Sequence, residues 1–157
     1  MENINLSTAS GSKIYIGGVA TGVDQTSLSE AIFVPVGGVE DLGEFGDEFE
    51  ISTFTALGDG RVRKFKGSAD GGTLELVVGR DPQDIGQMAL RAAAKEKARY
   101  AIKVELDDKA TTLGEPTTFY FAAIVGSAKN SVGTANDVIK SSFPLHIDSA
   151  IYEIAAS

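Results

Sequence analysis

A mainly β domain with one flanking α-helix, arranged as a β-sandwich or barrel with a long projecting loop and terminal arms, is the fold class this sequence predicts. Three observations predict it. Residues 100–106, 117–125 and 138–147 carry the period-two alternation of strands. Only residues 82–98 combine a helical apolar stripe with signals at both ends. A long polar stretch, about 40–72, separates strand-like segments and reads as a loop or hairpin that leaves the body. The order of these segments does not repeat βαβ units. With 157 residues, the chain has the size of one domain, taken as 1–157.

Residues 1–30 are small and polar, with a brief alternating piece at Lys13–Ile16, and read as an N-terminal arm with little core of its own. The apolar run Ile32–Val36 follows, and Gly37-Gly38 ends it. Pro35 has no N–H to give a neighbouring strand, which places this run at an edge or a subunit contact. In residues 40–50, acids are interleaved with Leu42, Phe45 and Phe49, a soluble segment with apolar anchors whose burial is expected to come from a neighbouring subunit. Arg61, Arg63, Lys64 and Lys66 then form a basic run. Gly71-Gly72 signals a turn before the β-prone run 73–79.

In the helix, Asp81 is the expected cap and Pro82 the first helical residue. Ile85, Met88, Ala89 and Ala92 form the stripe expected to lie on the sheet, with Leu90 off it. After it, Tyr100, Ile102, Val104 and Leu106 share one face of a strand. Residues 117–125 are apolar on both faces and read as a central strand. Asn136-Asp137 turns the chain into a strand with Ile139, Phe143, Leu145 and Ile147 in phase, and residues 151–154 suit a last short strand.

The chain has no cysteine, which excludes disulfides, thiolate catalysis and Cys-ligated zinc, and fits cytosolic assembly. No apolar run reaches the roughly 20 residues of a membrane span, and the start lacks the pattern of a signal peptide. His146 is the only histidine, and no base–nucleophile arrangement is visible around it. Asp107-Asp108 fits a strand-ending turn better than a cation site. The glycine-rich stretches at 58–60 and 68–72 lack the lysine and following helix of a phosphate loop. The expectation is therefore no catalytic residue, no metal, no cofactor and no enzyme.

Net charge is −8, unevenly placed: −9 in residues 1–60, +5 in 61–103 and −4 in 104–157. Opposite blocks suit like subunits that must dock in one orientation, with Glu44, Asp47 and Glu48 of one meeting Arg61, Arg63 or Lys64 of another. Solvated charge at strand ends is the competing reading.

In order, Val36-Gly37-Gly38-Val39-Glu40-Asp41-Leu42-Gly43-Glu44-Phe45-Gly46, then Gly67–Leu76, then Arg80-Asp81-Pro82-Gln83-Asp84-Ile85-Gly86-Gln87-Met88-Ala89-Leu90, then Phe119–Val125 and the strand from Phe143 to Ile147 resemble the major tail tube proteins of long-tailed bacteriophages. The D-x-x-D-x-G-Q-x-x-L shape at 81–90 is the most specific piece. The family is related at fold level to tube proteins of contractile tails and type VI secretion. The resemblance implies a structural virion protein forming six-membered rings stacked head to tail, with loop and arms reaching neighbours and DNA passing through the lumen without specific binding. It also implies tape measure, tail terminator and distal tail proteins as partners, assembly in the bacterial host cytoplasm, and no membrane. A free-standing β-rich adhesion or ligand-binding module is the alternative, and a small hydrolase using acidic residues a further one.

Overall fold

The computed structural model describes residues 6–157. Its strands are β1 (Lys13–Val19), β2 (Val34–Pro35), β3 (Val39–Asp41), β4 (Glu48–Thr55), β5 (Val62–Asp70), β6 (Thr73–Gly79), β7 (Tyr100–Glu105), β8 (Thr118–Val125), β9 (Lys129–Ser131), β10 (Lys140–Ile147) and β11 (Tyr152–Ile154). The helices are α1 (Gln25–Ser29) and α2 (Ile85–Ala93). Nine strands form one sheet in the order β2-β1-β7-β8-β10-β6-β3, with β11 beside β8 and β9 beside β10. β4 and β5 form a separate two-stranded sheet.

Alternation sorts the side chains of the large sheet. Ile14, Ile16, Leu74, Leu76, Val78, Ile102, Val104, Phe121, Ala123, Val125, Phe143, Leu145 and Ile147 all point into one buried core. The opposite face of β7 and β8 is covered too: Ala101 and Ala122 lie under Leu28 of α1, with Phe33, Tyr120 and Tyr152 around them. β8 is thus a central strand buried on both faces, as its doubly apolar sequence requires.

The large sheet is a curled layer, and among the described residues no ladder closes it into a barrel. Its two edges, β2 and β3, are consecutive in the chain and separated only by Val36, Gly37 and Gly38. The four Cα steps from Pro35 to Val39 span at most about 14 Å, so the sheet must roll until its edges nearly meet. At this seam Val36 donates to the Ile14 carbonyl on one side (3.0 Å), and Gly79 donates to the Gly38 carbonyl on the other (2.7 Å). No β2–β3 ladder closes the gap. Helix α2 covers it instead.

Gln87 does much of this work. It is fully buried, at 0% exposure. Its Nε2 donates to the carbonyls of Gly37 (2.8 Å) and Gly79 (2.9 Å), and its Oε1 accepts from the Asp81 N–H (2.9 Å). The Asp84 carboxylate caps the helix by accepting from the Gln87 N–H (2.9 Å) and also accepts from the Gly37 N–H (3.1 Å). A side chain at position 86 would collide with the Pro35 carbonyl oxygen and lie 2.7 Å from the Val36 Cα, so only glycine lets the helix approach this closely. Leu90 is buried below. Every fixed position of the D-x-x-D-x-G-Q-x-x-L pattern therefore has a task at the seam.

Three expectations need correction. Asp84, and not Asp81, is the cap; Asp81 instead holds a turn, accepting from the Gln83 N–H at 2.9 Å, and the helix is shorter than 82–98. Its register also differs from the expected one: Gly86, Gln87, Leu90 and Ala93 are buried, whereas Ile85 is 68% exposed, Met88 50% exposed and Ala92 exposed, with only Ala89 of the expected stripe packed against the core. Apolar periodicity misleads here because the inward face includes a glutamine whose polar atoms are all satisfied by backbone groups. Finally, residues 13–30 do not form an arm, since β1 is an interior strand of the sheet and Leu28 a core residue. Of the expected arm, residues 1–5 lie outside the described residues.

Candidate assembly surfaces

The most exposed element is the β4–β5 hairpin, in which no residue of either strand is buried. The turn at its tip is closed by Gly60 donating to the Ala56 carbonyl at 2.9 Å, and Arg63 pairs with Asp59 at 2.8 Å. Along its length, Ile51 lies opposite Lys66, Thr53 opposite Lys64 and Thr55 opposite Val62, while Ser52 lies opposite Phe65 and Phe54 opposite Arg63. Alternation puts Phe49, Ile51, Val62, Lys64 and Lys66 on one face and Phe54, Phe65 and Arg63 on the other. The Lys66 ammonium lies 3.6 Å from the Phe49 ring centroid, a cation–π contact on the first face.

Both faces thus carry large apolar groups, and Ile51, Phe54, Val62 and Phe65 are each more than half exposed. A strand pair that is solvated on one side alternates polar with apolar; this one has no wholly polar face. An isolated two-stranded hairpin is marginal in water, and exposed apolar surface of this kind marks a contact site. The sequence signal was present in Ile51, Phe54, Val62 and Phe65, but the charges around them hid it.

The residues singled out from sequence separate into two groups. Leu42 and Phe45 belong to the subunit's own body, which corrects their assignment to a neighbour. The Phe45 ring packs edge-on against Phe119 at 5.0 Å and lies 5.8 Å from Phe121, plugging the core beside the hairpin's foot. Glu44, Asp47, Glu48 and Asp70 line an open cleft of about 330 Å³ at that foot. Phe49, Arg61, Arg63 and Lys64 stand on the hairpin itself, and Arg61 and Lys64 have no ion-pair partner among the described residues. Pro35 is exposed in the edge strand β2, opposite Tyr15.

On the outer face of β1, β7 and β8, Lys103 stands among aromatic rings, with its ammonium 5.0 Å from Tyr15, 5.8 Å from Phe33 and 6.0 Å from Tyr120. It pairs with Glu105 at 3.0 Å, and Glu105 accepts from the Tyr15 hydroxyl at 3.1 Å. Burial alone would lower the Lys103 pKa, but the hydrogen bond and charge of Glu105, assisted by Tyr120 and Tyr15, hold it above the ordinary lysine value. Burial, followed by the charge and hydrogen bond of Glu105, pushes the Tyr15 phenol up. These groups satisfy one another, so the cluster locks the sheet's outer face.

The polar residues singled out in the sequence, His146 and Asp108, are held by hydrogen bonds to threonines. His146 Nδ1 lies 3.0 Å from the Thr73 hydroxyl on the exposed side of β10. Asp108 accepts from the Thr117 N–H (2.8 Å) and hydroxyl (2.6 Å), and the side-chain bond, then the backbone one, lower its pKa. Among the described residues, no three His, Asp or Glu side chains gather as metal ligands, and no helix is long and apolar enough to cross a membrane.

Several solved structures share this architecture. A chain of the anti-feeding prophage baseplate superposes with a TM-score of 0.68 at 13% identity, covering 99% of this chain and 98% of that one. This chain shares the fold of that one. A chain of the PVC extracellular contractile injection system sheath/tube terminator has a TM-score of 0.65 at 16% identity, covering 96% of this chain and 97% of that one. The SPP1 tail tube gives 0.61 at 13% identity, covering 92% of this chain and 76% of that one. No family model and no curated protein matches the chain, so the likeness to tube proteins is one of fold.

Proposed function

We propose that this chain is a structural tail protein that polymerises into a hollow tube of stacked hexameric rings, through which DNA passes. The observation that carries the reading is the hairpin with apolar groups on both faces, on a fold shared with tube proteins. Covering both faces takes a neighbour on each side, which a closed ring supplies to every copy at once. Stacking head to tail is an open heterologous contact and makes a filament of such rings.

Charge fits the same picture. Arg61, Arg63 and Lys64 stand towards the hairpin's tip and Glu44, Asp47 and Glu48 at its foot, and opposite potentials favour a docking that sets the basic end of one copy on an acidic surface of the next. Each subunit brings a net −8 to the ring. A wall of that sign repels phosphates and lets DNA slide, whereas an attractive wall would hold it. In this reading the protein has no catalytic residue or cofactor; it is assembled in the host cytoplasm, resides in the virion tail, and its partners are the tape measure, tail terminator and distal tail proteins.

Electron microscopy of the purified protein at rising concentration tests the proposal. Hollow tubes with six-fold end views are expected. A monomer that persists at every concentration would favour a free-standing β-rich binding module instead.

A further inference from the structure

Leu57, at the hairpin tip, is fully exposed, and nothing in its own subunit covers it. Elsewhere on the molecule, the end of β1 and helix α1 enclose an open cleft of about 550 Å³. Leu28 and Ala101 form apolar parts of its lining, and Val19 and Ile32, both well exposed, stand at its mouth. From the geometry we infer that Leu57 of one copy seats in this cleft of a second copy, as a knob in a hole, and so names the surface that receives the hairpin in the tube reading on which it rests.

Two further observations favour this occupant. Residues 57–66 hold Arg61, Arg63, Lys64 and Lys66 against the single acid Asp59, which Arg63 already neutralises. Residues 18–32, which build the cleft, hold Asp24 and Glu30 and no base, and Glu30 is in the lining itself. The basic tip therefore meets an acidic rim around an apolar floor. Reach is the second point. Eight residues of β4 at about 3.3 Å each make the hairpin roughly 25 Å long, enough to bridge to a neighbouring copy. A knob and a hole on different surfaces of one chain give a heterologous contact, the kind that joins like copies around a ring or from ring to ring along a tube.

Because the chain has no cysteine, the contact can be tested by cross-linking. The double variant Leu57→Cys/Ile32→Cys changes two exposed side chains and should, after oxidation of assembled tubes, give a ladder of covalent oligomers on denaturing gels. Either single variant should stop at dimers. Independently, Gly18 lines the cleft, and a Cβ built there meets nothing within 4 Å, so Gly18→Leu puts an apolar side chain into the hole from a position with room for it. It should leave monomer melting unchanged and lower tube yield at a fixed concentration on the order of tenfold or more. Tubes that form normally with Gly18→Leu and show no ladder with the cysteine pair overturn the knob-in-hole contact and leave the tube reading standing. A wild-type chain that never polymerises overturns both.

Discussion

The curled sheet and the hairpin are built from the same kind of material, alternating strands with aromatic and β-branched residues, yet they end in opposite states. In the sheet, Leu74, Leu76, Val78, Phe121 and Phe143 lose all contact with water. In the hairpin, Phe54, Phe65, Ile51 and Val62 keep most of theirs. What differs is the supply of partners within the chain. Strands β1, β7, β8, β10 and β6 each have a strand on either side, and helix α2 covers the seam where the sheet's edges approach. The hairpin has only its own two strands. An apolar strand pair without an internal partner carries information about an external one.

If the body is a closed unit, the largest effect should come from a charge placed at its margin. Phe45→Asp removes a ring packed on Phe119 and Phe121 and should destabilise the monomer by about 3–5 kcal/mol, read as a lowered denaturant midpoint. A monomer that keeps its stability would move Phe45 back to the hairpin's side of the comparison. Next, Gln87→Leu keeps the volume roughly constant but orphans the Gly37 and Gly79 carbonyls and the Asp81 N–H, for a loss of about 2–4 kcal/mol. An unchanged midpoint there would mean that helix α2 does not fasten the seam.

Smaller effects sharpen the boundary. Met88→Asp lies on the helix's outward face and should alter stability by only about 0.5–1 kcal/mol, a value easily separated from the loss expected of a core position. The double variant Phe54→Ser/Phe65→Ser should move the monomer's melting transition least of all, within about 0.5 kcal/mol, while abolishing tubes in sedimentation. Should it melt as early as Phe45→Asp, the hairpin would be folding back onto its own body.

Much of this molecule can be read in local pattern. The spacing of Tyr100, Ile102 and Val104, the doubly apolar run at 118–125, the phase shared by Phe143, Leu145 and Ile147, and the helix near 85–93 follow from residues at most a few positions apart, and periods of two or 3.6 depend on nothing further. The missing N–H of Pro35 likewise decides by itself that its strand stays at an edge. Tertiary structure decided the rest. Which side of α2 faces inward depends on Gln87 finding Gly37, fifty residues earlier in the chain. Phe45 is a core residue only because Phe119 and Phe121 are folded beneath it, and Lys13–Val19 becomes an interior strand only because β7 arrives beside it. Pattern specifies that a segment has two faces; which face is buried is set by what the rest of the chain brings to it, and that depends on contacts far apart in sequence.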